Sequence, residues 1–220
     1  MCIVIKDREE LLDFIDWLPE LAPDECFYLG LFARKKYHPS AHNDKYSCYR
    51  GSARDKVWLL KKIQDLHGRQ FRNRDGSIVH PSSLCLYITP NPRSYSGAQR
   101  WLLKKLADAI ADGVTHLDPA SLGMTAVHKA KSRTVYVDFD FDGLDERPDM
   151  VNYVNLDACT FLKTRGGYHV LVETAAIEEE YVNTWYQNIS SMSGVDVVGD
   201  NMIPVPGCSQ GGFSPYFVKE

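Results

Sequence analysis

Thr134 to Asp142 constrains this chain more than any other stretch. Val135, Val137, Phe139 and Phe141 take one parity there, and Asp138, Asp140 and Asp142 take the other. A period of two is a β-strand with one buried face, so the carboxylates share the opposite face. Same-face neighbours on a strand lie roughly 7 Å apart, and stacked like charges oppose folding unless a cation neutralises them. An ordinary solvated strand face mixes Lys, Thr and Ser among its acids. This face reads as a divalent-metal site, because hard cations prefer carboxylate oxygens.

A second feature lies downstream. Cys159–Thr164 and Tyr168–Val172 are β-prone and flank Gly166-Gly167, which predicts a hairpin. Arg165 precedes the turn and His169 follows it. A planar guanidinium, an imidazole and exposed backbone N–H groups together can clamp an anion. A lone strand histidine is more often packed or solvated; behind an Asp-x-Asp strand it gains meaning.

Together these residues resemble the archaeo-eukaryotic primase superfamily, which includes the primase-polymerases of plasmids, phages and mobile elements. Val135-Tyr-Val-Asp138-Phe-Asp140 is similar to its hhhDhD/E strand, and Gly167-Tyr-His169 to its small-x-His hairpin. Gly194-Val195-Asp196 is similar to its third acidic element, and Pro204-Val-Pro-Gly207 to a Pro-Gly segment that follows in many members. Leu86-Tyr-Ile-Thr-Pro-Asn-Pro-Arg93 resembles an upstream segment of some members. The matches span residues 84 to 212.

The resemblance implies an α/β (mixed α+β) fold: an RRM-like antiparallel sheet over residues 81–220 carries the acids, and an α/β unit over residues 1–80 packs against it. It implies template-dependent nucleotidyl transfer, with Asp138, Asp140 and Asp196 holding two Mg²⁺ or Mn²⁺ ions. Arg165, Gly167, His169 and Arg93 would bind the incoming NTP or dNTP, and single-stranded DNA would be the template. A separate replicative helicase or primer-handling domain would be a partner. For the third acid the competing residue is Asp200; its Gly-Asp-Asn setting favours a turn whose acid bonds its own backbone. One departure stands out: many relatives place a cation soon after the third acid, whereas here none follows Asp196 until Lys219. Another residue, Arg93 among them, would have to substitute.

Bulk properties permit this reading without demanding it. The charge of −4 is not that of a duplex-coating protein, although Arg34-Lys-Lys36, Lys61-Lys62 and Lys104-Lys105 could make a local basic groove. The cysteines at 2, 26, 48, 85, 159 and 208 form no Cys-x-x-Cys pair, against a zinc knuckle or a disulfide framework. The first apolar run, Cys2 to Ile5, is too short for a signal peptide and nothing approaches a membrane span, so the cytoplasm is expected. There is no Walker A motif. Gly207-Cys-Ser209-Gln-Gly211 matches a hydrolase elbow, but Gly212 and Pro215 block the helix it needs and no histidine follows. A metal-dependent nuclease, another nucleotidyltransferase or a non-catalytic RRM-like binding module could use the same acids.

Periodicity places helices at 7–17, 53–66, 97–111 and 176–192, and strands at 26–33 and 84–88. Residues 38–52 read as a loop holding His38 and His42, and 114–133 as a polar connection. Residues 89–93 read as a rigid Pro-rich loop delivering Arg93. The chain is expected to be a standalone catalytic core or a fragment of a longer protein.

Overall fold

A computed structural model describes residues 3–39, 41 and 44–219, with Val197 described by its backbone alone. Cys2 and His42 lie outside the described residues. The chain begins with α1 (Arg8–Trp17), β1 (Glu25–Arg34), β2 (Lys45–Ala53) and α2 (Lys56–Leu66). Next come β3 (Leu84–Ile88), β4 (Arg93–Ser94), α3 (Tyr95–Ala111) and α4 (Pro119–Lys129). It continues through β5 (Tyr136–Asp142), β6 (Cys159–Lys163), β7 (Gly167–Glu173) and α5 (Trp185–Ser190). It ends with β8 (Val195–Gly199), β9 (Ile203–Pro204) and β10 (Tyr216–Phe217).

The fold is mixed α/β, built on two antiparallel sheets. One has the order β2-β1-β3-β9, with β4 also pairing β1; the other has the order β10-β6-β7-β5-β8. This second sheet carries the acidic strand. Its strand order does not by itself establish the RRM-like arrangement. The first sheet begins within residues 1–80 but also takes β3, β4 and β9 from beyond them. One apolar cluster joins the sheets: Phe14, Leu29 and Leu86 pack with Tyr136 and Leu171. A second cluster lies behind the acids, where Phe139 and Phe141 meet Val170 and Ile189. The parity read from the sequence thus puts its aromatic residues in the core.

Local chemistry explains most element ends. Asp7 caps α1 by accepting the N–H groups of Glu9 and Glu10. Ser94 caps α3 through the Gly97 N–H. The helix closes at Gly113, whose φ of 68° suits only a residue without Cβ strain.

Three elements differ from the sequence reading. Residues 45–53 form a strand rather than a loop, because the buried β1 needs backbone partners on both edges and β2 supplies one set. Residues 119–129 form a helix rather than a connection, with Asp118 as N-cap and Pro119 in the first turn. It packs Ala126 and Val127 against Ala98. The helix expected over 176–192 shrinks to Trp185–Ser190. Asn155 accounts for the shortening: its amide donates to Ala176 O at 2.9 Å and accepts from Glu178 N at 3.0 Å, occupying backbone groups that would start a helix.

Candidate active site

β5 lies between β7 and β8, so its face collects side chains from three strands. Asp140 pairs in register with His169 on β7, and Asp142 with Gly167. A side chain at Gly167 is impossible here, since its Cβ would stand 2.0 Å from Phe141 O. The glycine therefore sets how closely the hairpin approaches the acidic strand. On the other side Asp140 pairs with Val197 and Phe141 with Val195, which leaves Asp196 as the extra residue of a bulge. Bulges re-aim side chains. Asp196 joins Asp140, Asp142 and His169 in lining one cavity of about 450 Å³.

Asp138 lies deeper, 1% exposed. Its Oδ1 stands 2.8 Å from His169 Nδ1, while Oδ2 is buried with no hydrogen-bond partner. His169 Nε2 is 3.7 Å from Asp140 Oδ1 and faces the cavity. Burial alone would push the His169 pKa down, but the charge and hydrogen bond of Asp138, with Asp140 and Asp142 beside it, outweigh that and raise it. Asp140 is raised first by burial, then by Asp138, Asp142 and Asp196, against the opposing pull of His169. Around Asp140 the carboxylates of Asp138, Asp142 and Asp196 oppose the single favourable influence of His169.

Among the described residues no three His, Cys, Asp or Glu side chains are grouped so that they could hold a metal ion as they stand. The donor set nonetheless fits hard divalent cations. Asp138, Asp140 and Asp196 offer oxygens only, and the orphaned Asp138 Oδ2 is a buried acceptor that lacks a donor.

Asp200 lines the same cavity and is paired with Arg93. The Arg93 guanidinium, 2% exposed, donates from Nη1 to Asp200 Oδ2 at 2.6 Å and from Nη2 to Asp200 Oδ1 at 3.0 Å. Asn91 adds a bond from Nδ2 to Asp200 Oδ1 at 3.0 Å. The same Asn91 donates to Tyr136 O and accepts from the N–H groups of Val135 and Tyr136, each at 2.8 Å. The loop after β3 is thereby fastened to the start of β5. Arg93 reaches the site region, but its paired nitrogens are spent on Asp200. Arg165 stands at the hairpin turn: its backbone N–H donates to Gln210 Oε1 at 2.8 Å and its guanidinium to Gly211 O, and it lies 4.8 Å over the Tyr37 ring. Its neighbours Thr164 and Gly166 line the cavity.

The first sheet contributes Arg34, Lys45 and Tyr87 to the same cavity, and the turn after β1 contributes Lys36. Lys45 lies in a stretch whose sequence reads as a loop, so its place on the cavity lined by the acids is not visible there. Its Nζ sits 4.3 Å over the Phe32 ring, and burial, then the nearby Arg34 charge, lower its pKa. Asn91 was also missed as a fastener, although a polar residue between two prolines was its signal.

Compared with known proteins, the chain matches no family model, no curated protein and no solved structure. Among the described residues no helix is long and apolar enough to cross a membrane.

Proposed function

We propose that the protein is a metal-dependent nucleotidyltransferase of the primase-polymerase kind, extending or initiating a strand on a single-stranded DNA template from NTPs or dNTPs. The observation that carries the reading is the cavity lined by Asp140, Asp142, Asp196 and His169, with Asp138 buried against His169 and one of its carboxylate oxygens left unpartnered. Asp138, Asp140 and Asp196 would hold two Mg²⁺ or Mn²⁺ ions. Bound there, such ions would activate the attacking 3′-hydroxyl and stabilise the leaving pyrophosphate.

The protein's own groups have separable tasks. Asp138 orients His169 through Nδ1, which leaves Nε2 directed at the cavity. When protonated, that ring is a donor suited to a phosphate oxygen. Gly167 keeps the hairpin close to β5, so that His169 and Asp140 stay paired across the strands. Asp196 is favoured over Asp200 as the third ligand, because both Asp200 oxygens are engaged by Arg93.

A labelled-nucleotide assay on single-stranded template, with and without primer and with Mg²⁺ or Mn²⁺, tests the reading. Metal-dependent incorporation is expected. Degradation of the strand in the same gel would assign the acids to a nuclease, and metal-independent binding without turnover to a binding module.

A further inference from the structure

Arg34 and Lys45 are direct cross-strand partners at the end of the β1–β2 ladder. Like charges placed opposite each other in a sheet destabilise it. Acidic neighbours would relieve the repulsion, yet among the described residues neither cation has a carboxylate within 4.0 Å. Arg34 bonds only weakly, from Nη1 to Tyr87 Oη at 3.5 Å, and its Nε is buried with no partner. Lys45 rests on the Phe32 ring.

The same cavity holds the mirror-image problem: Asp140, Asp142 and Asp196 also line it. The two groups carry opposite charge, and among the described residues no ion pair joins Arg34 or Lys45 to these acids. A ligand that neutralises both must present cations to the acids and an anion to Arg34 and Lys45. A polyphosphate chelated to a divalent metal has that polarity.

We propose that Arg34 and Lys45 form the polyphosphate clamp of this site, gripping the phosphates of the metal-bound nucleotide from the first sheet. The clamp rests on the nucleotidyltransferase reading given above. It also answers the absence of a cation soon after Asp196, because the positive charge arrives from β1 and β2 instead. Arg93, locked on Asp200, is not needed for it.

The test uses Mn²⁺ alone and inorganic tripolyphosphate with Mn²⁺ as calorimetric probes of the full chain, its Arg34→Gln and Lys45→Gln variants, and Lys45→Arg. Each Gln variant is expected to weaken tripolyphosphate by ~10- to 100-fold, as for a lost charge-assisted contact, while Lys45→Arg restores most of it. Mn²⁺ affinity should stay at the wild-type value. The melting temperature should hold or rise, since each Gln removes a like-charge pair; a merely structural role would lower it. Unchanged tripolyphosphate affinity in both Gln variants, with Mn²⁺ binding intact, overturns the clamp and leaves the metal site standing. Wild-type protein that binds neither Mn²⁺ nor tripolyphosphate overturns the clamp and the underlying reading together.

Discussion

Two acidic centres border one cavity, which Asp196 and Asp200 both line, and their carboxylates are partnered differently. At Asp200 both carboxylate oxygens are engaged, by a bidentate Arg93 and by Asn91, and the partners are themselves tied to β5. At Asp138 one oxygen meets His169, the other meets nothing, and three further aspartates crowd the same wall. At Asp200 the atom left without a partner is a donor, Arg93 Nε, whereas at Asp138 it is a carboxylate oxygen, which keeps capacity for a cation. The contrast is between a carboxylate with both oxygens paired and one with an oxygen unpaired, although both are aspartate.

The sharpest way to break the contrast is to neutralise one acid at the open centre. Asp138→Asn or Asp140→Asn is expected to abolish nucleotide incorporation with the fold retained, and Asp142→Asn to be milder. Gel assays with circular dichroism as the folding check would show it, and equal small losses at all three positions would deny a metal face. The closed centre should respond in stability instead. Arg93→Met strands the Asp200 charge and should cost about 3–5 kcal/mol in urea unfolding, toward the lower end because Asp200 remains 22% exposed. A variant that stays as stable as wild type but loses nucleotide affinity would make Arg93 a substrate contact rather than the structural partner of Asp200.

A smaller effect belongs to His169. His169→Ala should weaken nucleotide binding by about 1.5–3 kcal/mol, with a lesser change in Mn²⁺ affinity; calorimetry that finds nucleotide affinity unchanged would remove its role. The smallest effect is a pH dependence of the metal-free protein. The folded His169 pKa lies above its ordinary value of 6.5, so its stabilisation is complete below that value and fades as pH rises through the higher folded one. His169→Gln should flatten that part of the melting-temperature profile; an identical profile in the variant would contradict the pairing with Asp138.

Much of the open centre was legible because its residues sit on a strand, where period two fixes which side chains share a face. Asp138, Asp140 and the Gly167–His169 hairpin needed no tertiary information. The closed centre was not legible: Arg93 and Asp200 are far apart in sequence, and only the fold brings them into contact. Asp200 looked like an acid bonding its own turn, whereas a buried guanidinium holds it. Lys45 was lost for a related reason. Its strand is polar, and what makes it a strand is the need of β1 for a partner, which no local pattern records. The short α5 failed in the opposite direction, with apolar spacing overruled by the Asn155 side chain.

The central claim is that the open centre binds metal and the closed one does not. Mn²⁺ titration followed by electron paramagnetic resonance, on wild type, Asp196→Asn and Asp200→Asn, tests it most directly. Wild type should take up Mn²⁺, Asp196→Asn should bind it at least tenfold more weakly, and Asp200→Asn should bind it like wild type. Loss of Mn²⁺ binding in Asp200→Asn with full binding in Asp196→Asn would contradict the account.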